Sequence, residues 1–308
     1  MRLDGIHHIS AITGDAQRNL DFYTRILGLR LVAKTVNQDD PSVYHLFYAD
    51  EQGHPGSEMT FFEYPHAIPG RAGAGMIHRI VWRVGSAEAL EFWAQRLGLL
   101  EVAVTRGEGD PASVRFSDPE GLDHELVVNA TGDAPLAAEH PEIPAAHALQ
   151  GFDGVRAYAL DPERSGALLE EVLGAERSGD HVWTLRGDAR GGWIAYDPAP
   201  AERGRQSGGS VHHVAWGTSV AEHPRWQERF DEAGVATSGI IDRTYFKSIY
   251  FREPSGVLFE IADDAPGFTI DSPVAELGAR IILPPQLESR RAEIEARLTP
   301  LPNPRAVA

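Results

Sequence analysis

Cysteine is absent from the 308-residue chain. That excludes disulfides, thiolate zinc sites, iron–sulfur clusters and a cysteine nucleophile, so any metal must be held by His, Asp or Glu. Basic charge is scarce as well: 28 Lys+Arg stand against 45 Asp+Glu, a formal net charge of −17. Such a balance argues against nucleic acid and against anionic membranes as partners. No run approaches the roughly 18 apolar residues of a membrane span, and the opening MRLDGIHHIS lacks the apolar stretch of a secretory leader. A phosphate-binding glycine loop, a nucleophile elbow and a dinucleotide fingerprint are also missing. What remains, 42% hydrophobic and 24% charged residues, reads as a soluble globular protein, expected in the cytoplasm. Its length suggests two domains.

The residues that are present repeat. Four times a strand-like run leads into a helix that closes on glycine: IHHISAI before AQRNLDFYTRILG, MIHRIVWRV before SAEALEFWAQRLG, GVRAYAL before DPERSGALLEEVLG, and SVHHVAWGT before EHPRWQERFDEAG. Leu20, Tyr23 and Leu27 keep helical spacing, Ser86 is a natural N-cap, and Gly28, Gly98, Gly174 and Gly234 are natural stops. The intervals 8–28, 78–98 and 213–234, from first-strand histidine to glycine, are nearly equal. Strand-rich segments follow each helix. SVRFSDPEGLDHELVV and SIYFREPSGVLFEIA read as hairpins around the acidic-Pro-x-Gly turns Asp118–Gly121 and Glu253–Gly256. The predicted fold class is therefore α+β: tandem βαβββ units, each about 50–70 residues long. Two units fall in residues 1–133, a Pro/Ala-rich linker in 134–149, two more units in 150–265, and a tail with a short helix near Leu287–Leu298 in 266–308.

The repeat indicates where chemistry can recur. The interval 213–260 equals the interval 78–125, each running from a first-strand histidine to a glutamate after the hairpin turn. On one curled sheet those side chains share a concave face with His8, the first-unit equivalent. Two imidazoles and one carboxylate on one face of an octahedral ion leave positions for substrate and O₂, the arrangement of non-heme Fe(II) sites. Two sets satisfy this, His8 with His213 and Glu260, or His8 with His78 and Glu125, and spacing alone does not choose between them. In His7-His8 and His212-His213, consecutive strand residues are expected to face opposite ways. Tyr250 precedes Glu260 by an even number of residues across a tight turn, so its phenol can face the same side and supply a proton. Asp242 and Arg243 precede the same hairpin, where Arg243 would suit an anionic ring or product. His45, His54 and His124 are expected to be structural or exposed.

The opening LDGIHHIS, the segment YHLFYADEQGHPGSEMTFFEYP, the stretches GGSVHHVAWG and DRTYFKSIYFREPSGVLFEIA, and the tail GFTIDSPVAELGARIILPPQLE together resemble the vicinal oxygen chelate (glyoxalase/bleomycin resistance/dioxygenase) superfamily. Within it they resemble the hydroquinone-type ring-cleaving dioxygenases. The resemblance spans nearly the whole chain and is weakest in the third unit. It implies two vicinal-oxygen-chelate domains of curled mixed sheets enclosing a metal. It also implies Fe(II), with Mn(II) an alternative, on His8, His213 and Glu260, surrounded by His7, His212, Tyr250 and Arg243. A diphenol and O₂ would be the substrates, with His212 or Tyr250 as proton donor, and a homo-oligomer stays open. His78 and Glu125 have no assigned role in that pattern. The rival readings are a glyoxalase- or epimerase-like metal isomerase, which usually needs a second carboxylate, and a non-catalytic aromatic-ligand-binding protein.

Overall fold

The computed structural model describes residues 1–107 and 112–305; the final residues of the tail lie outside that description. Each of the four units follows the predicted order. The first comprises β1 (Ile6–Thr13), α1 (Ala16–Asp21) continued by a π-helical turn (Phe22–Ile26), β2 (Arg30–Val36), β3 (Tyr44–Ala49) and β4 (Glu58–Glu63). The second comprises β5 (Met76–Val84), α2 (Ala87–Leu99), β6 (Thr105–Gly107), β7 (Ser113–Ser117) and β8 (Asp123–Val128). In the third, β9 (Phe152–Ala159) is followed by two short helical turns, Pro162–Ser165 and Leu168–Val172, then β10 (Glu176–Gly179), β11 (Val182–Arg186) and β12 (Gly191–Pro198). The fourth comprises β13 (Ser210–Thr218), α3 (His223–Glu232), β14 (Thr237–Asp242), β15 (Lys247–Arg252) and β16 (Leu258–Asp263).

Local chemistry explains the boundaries. Asp15 and Ser86 cap α1 and α2 by accepting from the backbone N–H of Arg18 and Ala89. Gly28, Gly174 and Gly234 take positive φ and end their helical segments as read from the sequence. Gly98 does not. The helix α2 runs past it to Leu99, and Glu101 adopts the left-handed conformation instead. The acidic residue of each hairpin turn accepts two backbone N–H groups: Asp118 from Glu120 and Leu122, Glu253 from Ser255 and Val257. That is why both turns begin with a carboxylate.

Two mixed eight-stranded sheets result, in the orders β14-β15-β16-β13-β1-β4-β3-β2 and β10-β11-β12-β9-β5-β8-β7-β6. The first sheet joins unit one to unit four, and the second joins unit two to unit three. Each sheet thus crosses the linker and takes one unit from either side of it. At the centre of the first sheet β1 and β13 run antiparallel, with His8 opposite Ala215, Ile9 opposite Val214 and Ser10 opposite His213. That register is symmetric about the Ile9–Val214 pair, a local pseudo-two-fold that exchanges His8 with His213. Five tryptophans, Trp82, Trp93, Trp183, Trp216 and Trp226, are fully buried in the core.

A buried ion cluster ties unit two to unit three within the second sheet. Arg83 on β5 bonds Asp133 at 2.7 Å and Asp153 at 2.9 Å and donates to the Gly191 carbonyl at 2.8 Å. The tail lies along the edge strand β2: Ile281 bridges to Lys34, and the Ile282 N–H donates to the Lys34 carbonyl. This occupies a strand edge that would otherwise present unpaired backbone groups. Residues 285–295 form the expected short helix, a 3₁₀ turn followed by α4 (Arg291–Glu295). Among the described residues no helix is long and apolar enough to cross a membrane.

Candidate metal centre

The histidine pairs sit on β-bulges. Between the pairs Ile6–Trp216 and His8–Ala215, His7 is the extra residue; between Ser10–His213 and Ala11–Val211, His212 is. The expectation that neighbouring histidines face opposite ways therefore fails. A bulge places two residues opposite one and turns both side chains toward the same side. Nδ1 of His7 lies 3.0 Å from Nδ1 of His8, and Nδ1 of His212 lies 2.7 Å from Nδ1 of His213.

His8, His213 and Glu260 converge. Nε2 of His8 lies 3.2 Å from Nε2 of His213 and 3.2 Å from Oε2 of Glu260, and Nε2 of His213 lies 2.9 Å from that oxygen. Adjacent ligands about 2.1 Å from an octahedral ion are separated by about 3.0 Å, so the triangle has the size of one coordination face. All three residues are buried. Ser248 Oγ donates to Oε1 of Glu260, while Oε2 has no hydrogen-bond partner. Burial alone would raise the Glu260 carboxyl, but the His8 and His213 imidazoles hold it well below the usual carboxylate range.

Hydrogen bonding assigns the tautomer of His8. Nε2 of His7 lies 3.0 Å from the Asp263 carbonyl and must donate to it. Nδ1 of His7 is then an acceptor, so His8 donates from Nδ1, and its Nε2 is the nitrogen turned toward Glu260. The buried, unpartnered Oε2 of Glu260, with two imidazole nitrogens beside it, makes a donor set that fits a divalent ion. Asp263 is fixed in turn by His223, whose Nδ1 lies 2.9 Å from Oδ2, and by the Lys247 N–H. A ligand role for His213 through Nε2 puts a proton on its Nδ1, donated to His212. Burial holds both His7 and His212 down to about 3, so each imidazole is neutral at physiological pH.

A cavity of about 310 Å³ opens onto the triangle, with His8 and His213 in its wall. Phe47, Phe62, Phe246 and Leu258 supply apolar surface; His45, His212, Arg243 and Tyr250 supply polar groups. Tyr250 is the direct cross-strand neighbour of Glu260, as its spacing predicts, and its ring lies 5.6 Å from that of His213. Arg243 Nε donates to the Tyr250 oxygen at 3.3 Å, and its Nη1 lies 3.2 Å from Asp39. Burial and the nearby Glu260 raise the Tyr250 phenol, so it stays protonated. Asp242 is exposed and accepts from the Thr244 N–H, a turn role.

The alternative set is not assembled. His78 and Glu125 lie on the second sheet, and among the described residues the clusters able to hold a metal do not include them. On β5, His78 is the bulged residue, between the pairs Ile77–Ala157 and Arg79–Arg156. It therefore corresponds to His212, and Arg79 occupies the place of His213. The place of His8 falls on Gly154, which pairs with Trp193; a Cβ there would meet the indole at 2.2 Å. Glu125 does match Glu260, but it pairs with Arg79 at 3.5 Å and Arg115 at 2.8 Å. His78 instead bonds Asp197 at 2.8 Å and stacks on Tyr158. The equal intervals in sequence combine a one-residue offset at the bulge with a one-residue difference before the turn.

Three residues at the site carried no metal-ligand signal in the sequence. Thr60 lies across from Ser10 as Glu260 lies across from Ala215, so under the pseudo-two-fold it stands where a second carboxylate would be. His45, expected to be structural or exposed, lines the cavity and bonds Thr60 at 3.0 Å. Glu58 is buried opposite His8, with Oε2 unpartnered and 4.0 Å from His7 Nδ1. Burial, with Asp50 and Glu260 nearby, raises its carboxyl well above the ordinary value, and with His7 and His8 it forms a second cluster able to hold a metal. His54 is half-exposed and pairs with Asp50, and His124 is buried between Tyr23 and Trp82, both structural as expected.

The model of the Glyoxalase/Bleomycin resistance protein/Dioxygenase superfamily matches residues 5–126 and 146–261. A Bacillus subtilis protein named "Putative ring-cleaving dioxygenase MhqA" is 41% identical, covering 98% of this chain and all of its own length. The chlorohydroquinone/hydroquinone 1,2-dioxygenase of Sphingobium indicum is 30% identical, covering 95% of each chain. A crystal structure of a "putative dioxygenase" from Bacillus subtilis superposes with a TM-score of 0.92 at 37% identity, covering 98% of both chains. The chain belongs to the glyoxalase/bleomycin resistance protein/dioxygenase superfamily, and within it groups with ring-cleaving dioxygenases.

Proposed function

We propose that this protein is a ring-cleaving dioxygenase that acts on a hydroquinone or related diphenol, using Fe(II), with Mn(II) as the alternative ion, on His8, His213 and Glu260. The observation that carries the reading is the three-sided donor set opening onto an aromatic-walled cavity, with Thr60 rather than a carboxylate on the fourth side. A bound Fe(II) would supply substrate coordination and electron transfer to O₂.

The chain's own residues do the rest. His7, anchored on the Asp263 carbonyl, holds the Nδ1 proton of His8 and so orients its Nε2 for a metal, and Ser248 orients the Glu260 carboxylate. Phe47, Phe62 and Phe246 provide an apolar wall for a phenolic ring and limit water. Arg243 donates to the Tyr250 oxygen, which leaves the phenol's own hydrogen free to point into the cavity. Tyr250 is thus the leading proton donor, with His212 second. In the reaction both atoms of O₂ enter the product: one ring C–C bond next to a hydroxyl-bearing carbon breaks, leaving an acid and an aldehyde.

The test is O₂ uptake by metal-loaded protein with hydroquinone, and recovery of both labelled atoms from ¹⁸O₂ in the ring-opened product. The isomerase reading lacks its second carboxylate because Thr60 occupies that position. Turnover of methylglyoxal–thiol adducts, with no consumption of any diphenol, would establish it instead.

A further inference from the structure

The pseudo-two-fold of the first sheet pairs more than the ligands. Tyr250 lies opposite Glu260, and two residues earlier Ser248 lies opposite Ala262. In unit one Phe47 lies opposite Thr60, and two residues earlier His45 lies opposite Phe62. His45 therefore holds the position of Ser248, and Thr60 that of Glu260. Each half keeps the same hydrogen-bonded couple: Ser248 with Glu260, His45 with Thr60. In unit four the couple presents a negative charge to the centre, and in unit one it presents neutral hydrogen-bonding groups.

The surroundings of His45 suit a ligand. Its ring lies 4.1 Å from that of Phe47 and 4.2 Å from that of Phe62, which fixes it in the cavity wall. Nε2 is engaged by Thr60, which is itself bonded to Ser10 at 2.7 Å. Nδ1 has no hydrogen-bond partner among the described residues, although the residue lines the cavity. A neutral imidazole has one donor and one acceptor nitrogen, so Nδ1 can engage a hydroxyl in either sense.

We propose that His45 is a specificity-determining residue: its Nδ1 hydrogen-bonds the hydroxyl of the diphenol that lies away from the His8–His213–Glu260 centre. The inference rests on the diphenol reading above. It explains why the fourth side of the centre carries a histidine and threonine couple, and it selects a ring with two hydroxyls over a simple phenol.

The experiment measures anaerobic binding of hydroquinone and of phenol to Mn(II)-loaded wild type, His45→Phe and His45→Gln. Phenylalanine keeps the stacking on Phe47 and Phe62 but removes both nitrogens. Wild type should bind hydroquinone about 10- to 100-fold more tightly than phenol, the range expected when a buried hydrogen bond is left unmade. His45→Phe should collapse that ratio toward one with phenol affinity and metal content unchanged, and His45→Gln should restore part of it. A wild type without the preference, a ratio unchanged in His45→Phe, or equal weakening of both ligands would overturn the assignment. Tight, His45-dependent hydroquinone binding without O₂ uptake would instead sink the dioxygenase reading and leave the recognition role standing.

Discussion

Replacing Glu260 by glutamine separates the metal centre from the fold that carries it. Glutamine keeps the volume and an acceptor for Ser248 Oγ, but it removes the single negative charge of the triangle and turns an N–H₂ toward the two imidazoles. In the metal-free protein that amide can donate to a neighbouring imidazole Nε2, so the fold should survive. Metal binding should not. At free metal about 1,000 times Kd, a ligand specific to the folded state stabilises it by about 4 kcal/mol. Losing a group that merely supports a ligand weakens metal affinity by about 10–100-fold, and loss of the only anionic ligand should exceed the upper figure. At the same metal concentration the stabilisation then falls to about 1.4 kcal/mol or less. Thermal unfolding with and without Mn(II) or anaerobic Fe(II) reads this directly, and metal analysis after gel filtration checks it. A full metal-dependent shift in Glu260→Gln would refute the assignment. The next test would then be Glu58→Gln, in the cluster His7, His8 and Glu58.

Tyr250→Phe keeps the edge contact with the His213 ring and loses only the hydroxyl bonded to Arg243. Turnover of hydroquinone should fall by about 10²–10⁴ while metal content stays at the wild-type level, and wild-type turnover would reduce Tyr250 to a packing role. His7→Phe removes the acceptor that fixes the His8 tautomer, and metal affinity in a competitive chelator titration should drop about 10–100-fold. Arg83→Met leaves Asp153 without its cation and Asp133 with Arg186 alone; urea denaturation should show a loss of about 1–3 kcal/mol. Burial would raise the Asp133 carboxyl, but Arg186 and Arg83 hold it well below its usual range. Its stabilising contribution is therefore present above the ordinary carboxylate pKa of about 3.9 and is lost as pH falls toward the lower folded value. Acid unfolding of Arg83→Met should show a weaker pH dependence in that window.

Much of this was readable in the chain because it depends on local signals. The helix stops at Gly28 and Gly234, the Ser86 cap and the two acidic-Pro-x-Gly turns follow from backbone conformation and short-range hydrogen bonds, which sequence encodes directly. Tyr250 opposite Glu260 follows from the two-residue period across a tight turn. Partnership between units does not have a local signal. Whether unit one pairs with unit four or with unit two depends on which first strands lie antiparallel, and no nearby residue in the chain states it. Spacing therefore left two histidine–glutamate sets in competition, and only the family resemblance pointed to His8, His213 and Glu260.

The bulges account for most of what sequence could not supply. Strand alternation separates His7 from His8, whereas one extra residue per strand brings the pair into contact and makes the outer imidazole the orienting partner of the inner one. The same device in the second sheet moves His78 into the outer position and leaves Arg79 and Gly154 in the two inner ones. An arginine beside Glu125 then supplies the positive charge that a metal would otherwise bring. Both sheets thus face the same electrostatic requirement, a buried carboxylate on the last strand of a unit. One meets it with an ion pair and is closed by Trp193. The other meets it with two imidazoles whose tautomers are fixed from behind, and so retains a face on which a cation and a substrate can meet.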